Sequence, residues 1–148
     1  MKETRVSIQT YDEQGLRFEY PSDWVLEETE DGSVRTVAVQ APDGLGFTVI
    51  QTDDSRPDPA EIADAALQAM RDDYPEVGAQ PVLETINDHA ATGHDLEFVA
   101  LDMTNAATIR CFRTPRRTIL VLGQWSDMGD AELPELIRDV VLSIEETE

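Results

Sequence analysis

Gly15-Leu16-Arg17-Phe18-Glu19-Tyr20-Pro21-Ser22-Asp23-Trp24 constrains the fold more tightly than any other stretch of this chain. Leu16, Phe18 and Tyr20 fall on one face of an extended backbone and Arg17 and Glu19 on the other, the period of two that marks a half-buried strand. Pro21 lacks the amide a ladder needs, so the strand stops there. Ser22 and Asp23 favour a tight turn that carries Trp24 back toward the core. A strand over residues 6–10, reached through the turn-prone residues 12–15, is the simplest partner and predicts a hairpin.

The same signals recur downstream. Strands predicted over 25–29 and 34–41 flank Glu30-Asp31-Gly32-Ser33, whose Asp-Gly pair is a strong hairpin signal, and Pro42-Asp43-Gly44 turns the chain into a strand over 47–51. Asp58-Pro59-Ala60-Glu61 opens a helix: a capping carboxylate, a proline where no amide is needed, and a glutamate placed to reach back to the cap. Ile62, Ala63, Ala66, Leu67, Met70 and Tyr74 give that helix an apolar, core-forming stripe, and Pro75 ends it. Four strands over 80–86, 94–102, 107–114 and 118–125 form a meander, with turns expected at Asn87-Asp88-His89, Met103-Thr104-Asn105 and Pro115-Arg116-Arg117. Ile119, Leu120, Val121 and Leu122 do not alternate, which predicts a central strand covered on both faces.

A last helix carries Leu133, Leu136, Ile137, Val140, Val141 and Ile144 on one side, capped by Asp127 or Asp130, with Pro134 in its first turn. The acidic tail over 145–148 lies at the negative end of that helix, which predicts fraying. The pattern is a single domain over 1–148 of the α+β class, a mostly antiparallel sheet with two main amphipathic helices.

One cysteine, Cys111, allows no internal disulfide, so packing must hold the fold. Residues 1–5 lack the apolar run of a signal peptide and no window has the length of a membrane span; the expectation is a cytoplasmic protein without membrane insertion. A formal charge of −20 argues against nucleic acid, because binding phosphates takes lysine and arginine to neutralise them. Ten of the eleven basic residues are arginine, which with the abundant acids fits a salt-adapted or GC-rich source. Arg110, Arg113, Arg116 and Arg117 lie within eight positions, a local reversal of sign.

The turn Tyr20-Pro21-Ser22-Asp23-Trp24, the middle helix over 58–74 and the closing helix over 133–144 occur in an order that resembles the superfamily of PsbP, the Mog-type Ran-binding proteins and bacterial DcrB-like proteins. Gly93 would correspond to a glycine usual before the meander, whereas Ile86-Asn87-Asp88 stands where an Ile-x-Gly turn is common. The resemblance implies an α/β/α sandwich whose members bind other proteins, as assembly factors or chaperones, and it transfers no catalytic set. Fold alone chooses no partner.

The residues contain no nucleophile elbow, phosphate-cradling loop or dinucleotide fingerprint, so no enzyme and no cofactor is expected. Cys111 with His89 or His94 is the minimum for a thiol nucleophile, set against a small buried side chain and two loop histidines. The leading expectation is a non-catalytic protein-binding, assembly or chaperone-like module, monomer or homodimer, with an unidentified protein partner. Arg110, Phe112, Arg113, Arg116 and Arg117 are the contact candidates: Arg110 alternates with Phe112 on one strand face, a pairing found in interface hot spots and equally in charge-protected edge strands. The alternative is a small-ligand or metal-binding domain in which Asp88, His89, His94 and Asp95 offer oxygen and nitrogen donors around a glycine-containing loop over 88–95.

Overall fold

The computed structural model describes residues 7–147, so the expectations for residues 1–6 and Glu148 lie outside the described residues. Strand β1 (Ile8–Glu13) pairs with β2 (Leu16–Pro21) through a two-residue turn in which Gln14 and Gly15 have φ of 51° and 84°. Positive φ at both turn residues matches the twist of antiparallel strands, so the hairpin is longer and its turn tighter than the expected 12–15. Leu16 and Phe18 are fully buried, and Phe18 lies against the rings of Tyr11 and Tyr20 at 5.0 and 5.7 Å. The Trp24 amide donates to the Pro21 carbonyl at 3.0 Å, which returns the indole to the core as its sequence predicts.

The remaining elements are β3 (Val25–Asp31), β4 (Val34–Gln40), β5 (Gly46–Asp53), α1 (Pro59–Asp73), β6 (Gly78–Ile86), β7 (His89–Ala100), β8 (Met103–Arg113), β9 (Thr118–Ser126), α2 (Leu133–Ser143) and β10 (Glu145–Glu146). Seven strands form one antiparallel sheet in the order β3-β4-β5-β9-β8-β7-β6, and β1, β2 and β10 form a small second sheet. Helix α1 covers one face, where Ala63 and Leu67 meet Leu96, Phe98, Ala107, Ile109 and Cys111. Helix α2 and the small sheet cover the other, where Leu16, Phe18, Trp24, Ile137 and Val141 meet Val37, Ile50, Phe112, Ile119 and Val121. Strand β9 is central, as its unbroken apolar run predicts: Ile119 and Val121 enter one core, Leu120 and Leu122 the other.

Asp58 caps α1, its carboxylate accepting from the Glu61 amide at 3.0 Å, with Pro59 in the first turn. Asp58→Ala is expected to lower stability by about 1 kcal/mol, read as a melting temperature a few degrees lower by circular dichroism. Ahead of α2 it is Asp130, of the two residues expected, that accepts from the Glu132 amide at 2.9 Å, one turn before the helix proper; Glu132 itself makes no side-chain cap.

Three expectations are corrected. The connection between β6 and β7 shrinks to Asn87 and Asp88, at φ of 46° and 69°, so residues 89–93 are strand rather than loop. The Asn87 side-chain Nδ2 donates to the Ile144 carbonyl at 2.5 Å and so ties this turn to the end of α2. The next turn is Leu101-Asp102, and Met103-Thr104-Asn105 begins β8, because the facing apolar sets Leu96, Phe98 and Ala107, Ile109 fix the register. The tail does not fray at Glu145–Glu146. Those residues pair with Arg17 and Leu16, the Thr147 amide donates to the Gly15 carbonyl at 2.9 Å, and the buried Glu146 carboxylate accepts from Thr114 at 2.6 Å. Strand pairing and a buried hydrogen bond outweigh the dipole term.

Candidate groove between α2 and the open end of the sheet

Alternation along β6, β7 and β8 puts Val82, Glu84, Asp95, Glu97, Ala106, Thr108 and Arg110 on the face shared with α2. Helix α2 lies over β5 and β9, drawn close because Gly123 has no Cβ where Ile137 sits. The β6–β8 end is therefore left uncovered, and an open groove of about 950 Å³ runs between it and α2, with Trp125 and Ile137 along its inner side.

An ionic lattice is built into the wall. Arg110, 3% exposed, donates to Glu84 at 2.5 Å, pairs with Asp95 at 3.0 Å and donates to its neighbour's carbonyl, that of Ile109, at 2.9 Å. Arg138 of α2 meets both oxygens of Glu84, at 2.5 and 2.9 Å, a two-point geometry suited to a planar guanidinium. Thr108 donates to Asp95 at 3.1 Å. The Arg138 hydrogen bonds, and secondarily those of Arg110, hold the Glu84 carboxyl down at about 2 against the opposing effect of burial. Glu84 reciprocally raises Arg138. Glu84 and Arg138, which carry this lattice, escaped the sequence reading. The available signal was a charge at Glu84 on the inward parity of Val82 and Ile86.

The contact candidates separate. Arg110 is in the groove wall, already neutralised. Phe112 shares its face but has no exposed surface: it is a core residue, stacked on His89 with ring centres 5.6 Å apart. Arg113 is exposed and donates to the Arg56 carbonyl at 2.8 Å, Arg116 is exposed in the β8–β9 turn, and Arg117 is buried beside Asp54 and Glu146 at 3.3 and 3.5 Å. These five do not form one basic surface, because strand parity and burial distribute them. Nor is β8 a charge-protected edge, since it lies between β7 and β9.

The metal candidates separate too. With 89–93 in a strand, His89 and His94 point to opposite faces; His94 meets Asp64 of α1 at 3.1 Å, Asp95 faces Arg110, and Asp88 is exposed in the turn. Among the described residues no three His, Cys, Asp or Glu side chains converge to hold a metal. Cys111 is fully buried, and desolvation pushes its thiol up to about 12. A thiol reagent such as Ellman's is expected to leave native protein unmodified and to titrate one thiol after unfolding; rapid modification of the native chain would contradict this burial. No helix among the described residues is long and apolar enough to cross a membrane.

No protein-family model and no curated protein matches the sequence. Solved structures do resemble it. Cyanobacterial PsbP (CyanoP) from Synechocystis sp. PCC 6803 aligns over 97% of this chain and 95% of its own, with a TM-score of 0.60 at 13% identity. LpqN, involved in cell envelope biogenesis of Mycobacterium tuberculosis, aligns over 98% and 93%, with a TM-score of 0.54 at 12% identity. A Bacteroides thetaiotaomicron protein aligns over 90% of this chain with a TM-score of 0.58 at 18% identity, and the chain spans only 46% of its length. Two helices sandwiching an antiparallel sheet, end-to-end alignment with CyanoP and the proline-turned tryptophan together make this a PsbP-like α+β fold.

Proposed function

We propose that the chain is a non-catalytic binding module that takes a polypeptide segment of a protein partner in the groove between α2 and β6–β8. The observation that carries this is the Glu84–Arg110–Arg138–Asp95 lattice inside an open groove beside Trp125. Polar groups locked by one another lose little freedom when a partner arrives, and an aromatic flank supplies apolar area, a combination suited to recognition. The PsbP-like fold supports an accessory or binding role. The Cys111–histidine pairing that would make a thiol nucleophile is not assembled: the thiol is buried and its ionisation is pushed up by desolvation, and His89 and His94 lie against Phe112 and Asp64 on opposite faces of the sheet.

The test is selection of binders from a random-peptide display library on the native chain. Selected peptides are expected to lose about tenfold in affinity, 1.4 kcal/mol, on Gln80→Trp, which places bulk on the exposed groove rim without touching the core, and nothing on Thr29→Ala in β3. Selected peptides indifferent to Gln80→Trp would overturn the assignment of this groove.

A further inference from the structure

Strand β7 outruns its neighbour. The last pair it makes with β6 is Gly78 with Glu97, whereas on its other side it continues to pair with β8 through Phe98, Val99 and Ala100. Among the described residues no strand occupies the β6 side of those three positions, so a short length of sheet edge is open. The loop that leads from α1 into β6 stands beside this edge and makes the second wall of a notch of about 630 Å³. Tyr74 from the loop stacks on Phe98 with ring centres 4.3 Å apart, giving the notch a firm aromatic wall, extended by Pro75 and Val77. Val99 is 69% exposed and Leu101, at the tip of the hairpin just beyond, 88%.

The charge around this apolar notch has one sign. Asp73, Glu76 and Glu97 line it, no lysine, arginine or histidine does, and none of these three carboxylates takes part in an ion pair among the described residues. At the sheet's other edge, β3 carries Glu27, Glu30 and Asp31, and β6 itself carries Pro81; such residues discourage strand addition. The three-residue overhang has neither, only apolar side chains and an acidic rim. A second copy of this chain would bring the same carboxylates against one another, with a charge of −20 on each molecule.

From this we infer that the notch is a strand-addition site for an extended, basic segment of a partner protein. The segment's backbone pairs with Phe98–Ala100, an apolar side chain rests against Tyr74 and Val77, and alternate lysine or arginine side chains reach Glu76 and Glu97. Strand addition draws affinity from main-chain hydrogen bonds and specificity from alternate side chains, and opposite charge raises the rate of encounter. The inference rests on the reading of the chain as a protein-binding module and goes beyond it: the notch is a second contact, separate from the groove, with its own segment chemistry.

The experiment titrates the full chain with a synthetic peptide of alternating lysine and valine, followed by amide chemical shifts and calorimetry. Binding is expected, with the largest shifts at residues 97–101, an affinity that falls as salt rises, and at least a tenfold loss on Glu76→Gln with Glu97→Gln, both at exposed positions. Methylating the peptide's backbone amides is expected to cost at least tenfold as well. Equal binding of a glutamate–valine peptide, or indifference to amide methylation, would overturn the inference. Loss of binding on Gln80→Trp with shifts centred on Trp125 would overturn it while leaving the groove assignment standing. Self-association of the free chain that Val99→Lys abolishes, seen by sedimentation, would overturn it in favour of a second copy.

Discussion

Gly93→Ala is expected to cost about 3 kcal/mol or more, a large share of the roughly 5–15 kcal/mol that holds a domain folded. Gly93 sits inside β7, opposite Arg110 of β8 on one side and Val82 of β6 on the other. A Cβ built there would land inside the carbonyl of Ile109, and that carbonyl belongs to the backbone of an interior strand. Contrast Gly46, where an added Cβ would meet the far end of the Leu133 side chain and not backbone. At Gly93 the strands themselves must part, and Arg110 would move with them, away from Glu84. Denaturant titration of the alanine variant measures the cost; a loss under 1 kcal/mol would mean that β7 and β8 do not approach so closely.

Glu84→Ala is expected to be of similar size, about 3–5 kcal/mol, because it strips a buried guanidinium of its nearest counter-charge. Of its counter-charges Arg110 would keep only Asp95, whose own side chain is half in solvent, and Arg138 would lose both its hydrogen bonds to Glu84. The isosteric Glu84→Gln separates charge from packing through its pH dependence. In the folded chain Glu84 titrates at about 2, below the usual 4.5, so across that window the unfolded chain binds more protons than the folded one. Stability from the carboxylate is therefore complete above the usual value and drains away as pH falls toward 2, on the order of 2–3 kcal/mol in all. Wild type and Glu84→Gln should differ most near neutrality and converge in acid; curves that stay parallel to pH 2 would show that this carboxylate is not held down.

The architecture was legible where local chemistry and long-range packing agree. Leu16, Phe18 and Tyr20 alternate toward one core, Pro21 closes the strand, Asp58 and Pro59 open α1, and the unbroken run from Ile119 to Leu122 marks the strand buried on both faces. Connections were less legible because turn propensity is weak against register: Leu101 is a poor turn residue by composition, yet the pairing of β7 with β8 leaves the turn nowhere else to fall. The site was obscured by parity. Two histidines five apart look adjacent in a loop and lie on opposite faces in a strand, and four arginines within eight positions look like one patch until Arg110 and Arg117 are each found buried against separate acids. Glu84 and Arg138, 54 positions apart, had no shared signature to announce them.

The pairing of β10 with β2 also orders events in time. The Leu16–Arg17 end of the β2 edge opposite β1 is paired by residues more than a hundred positions downstream, with Thr147 closing onto Gly15 and Glu146 supplying a partner for Arg117. A nascent chain therefore carries β2 without this partner strand until residues 145–147 have been made, and joining such distant segments makes this closure one of the slower steps. Until residues 145–147 have been made, the Leu16–Arg17 side of β2 is open to pairing with another strand.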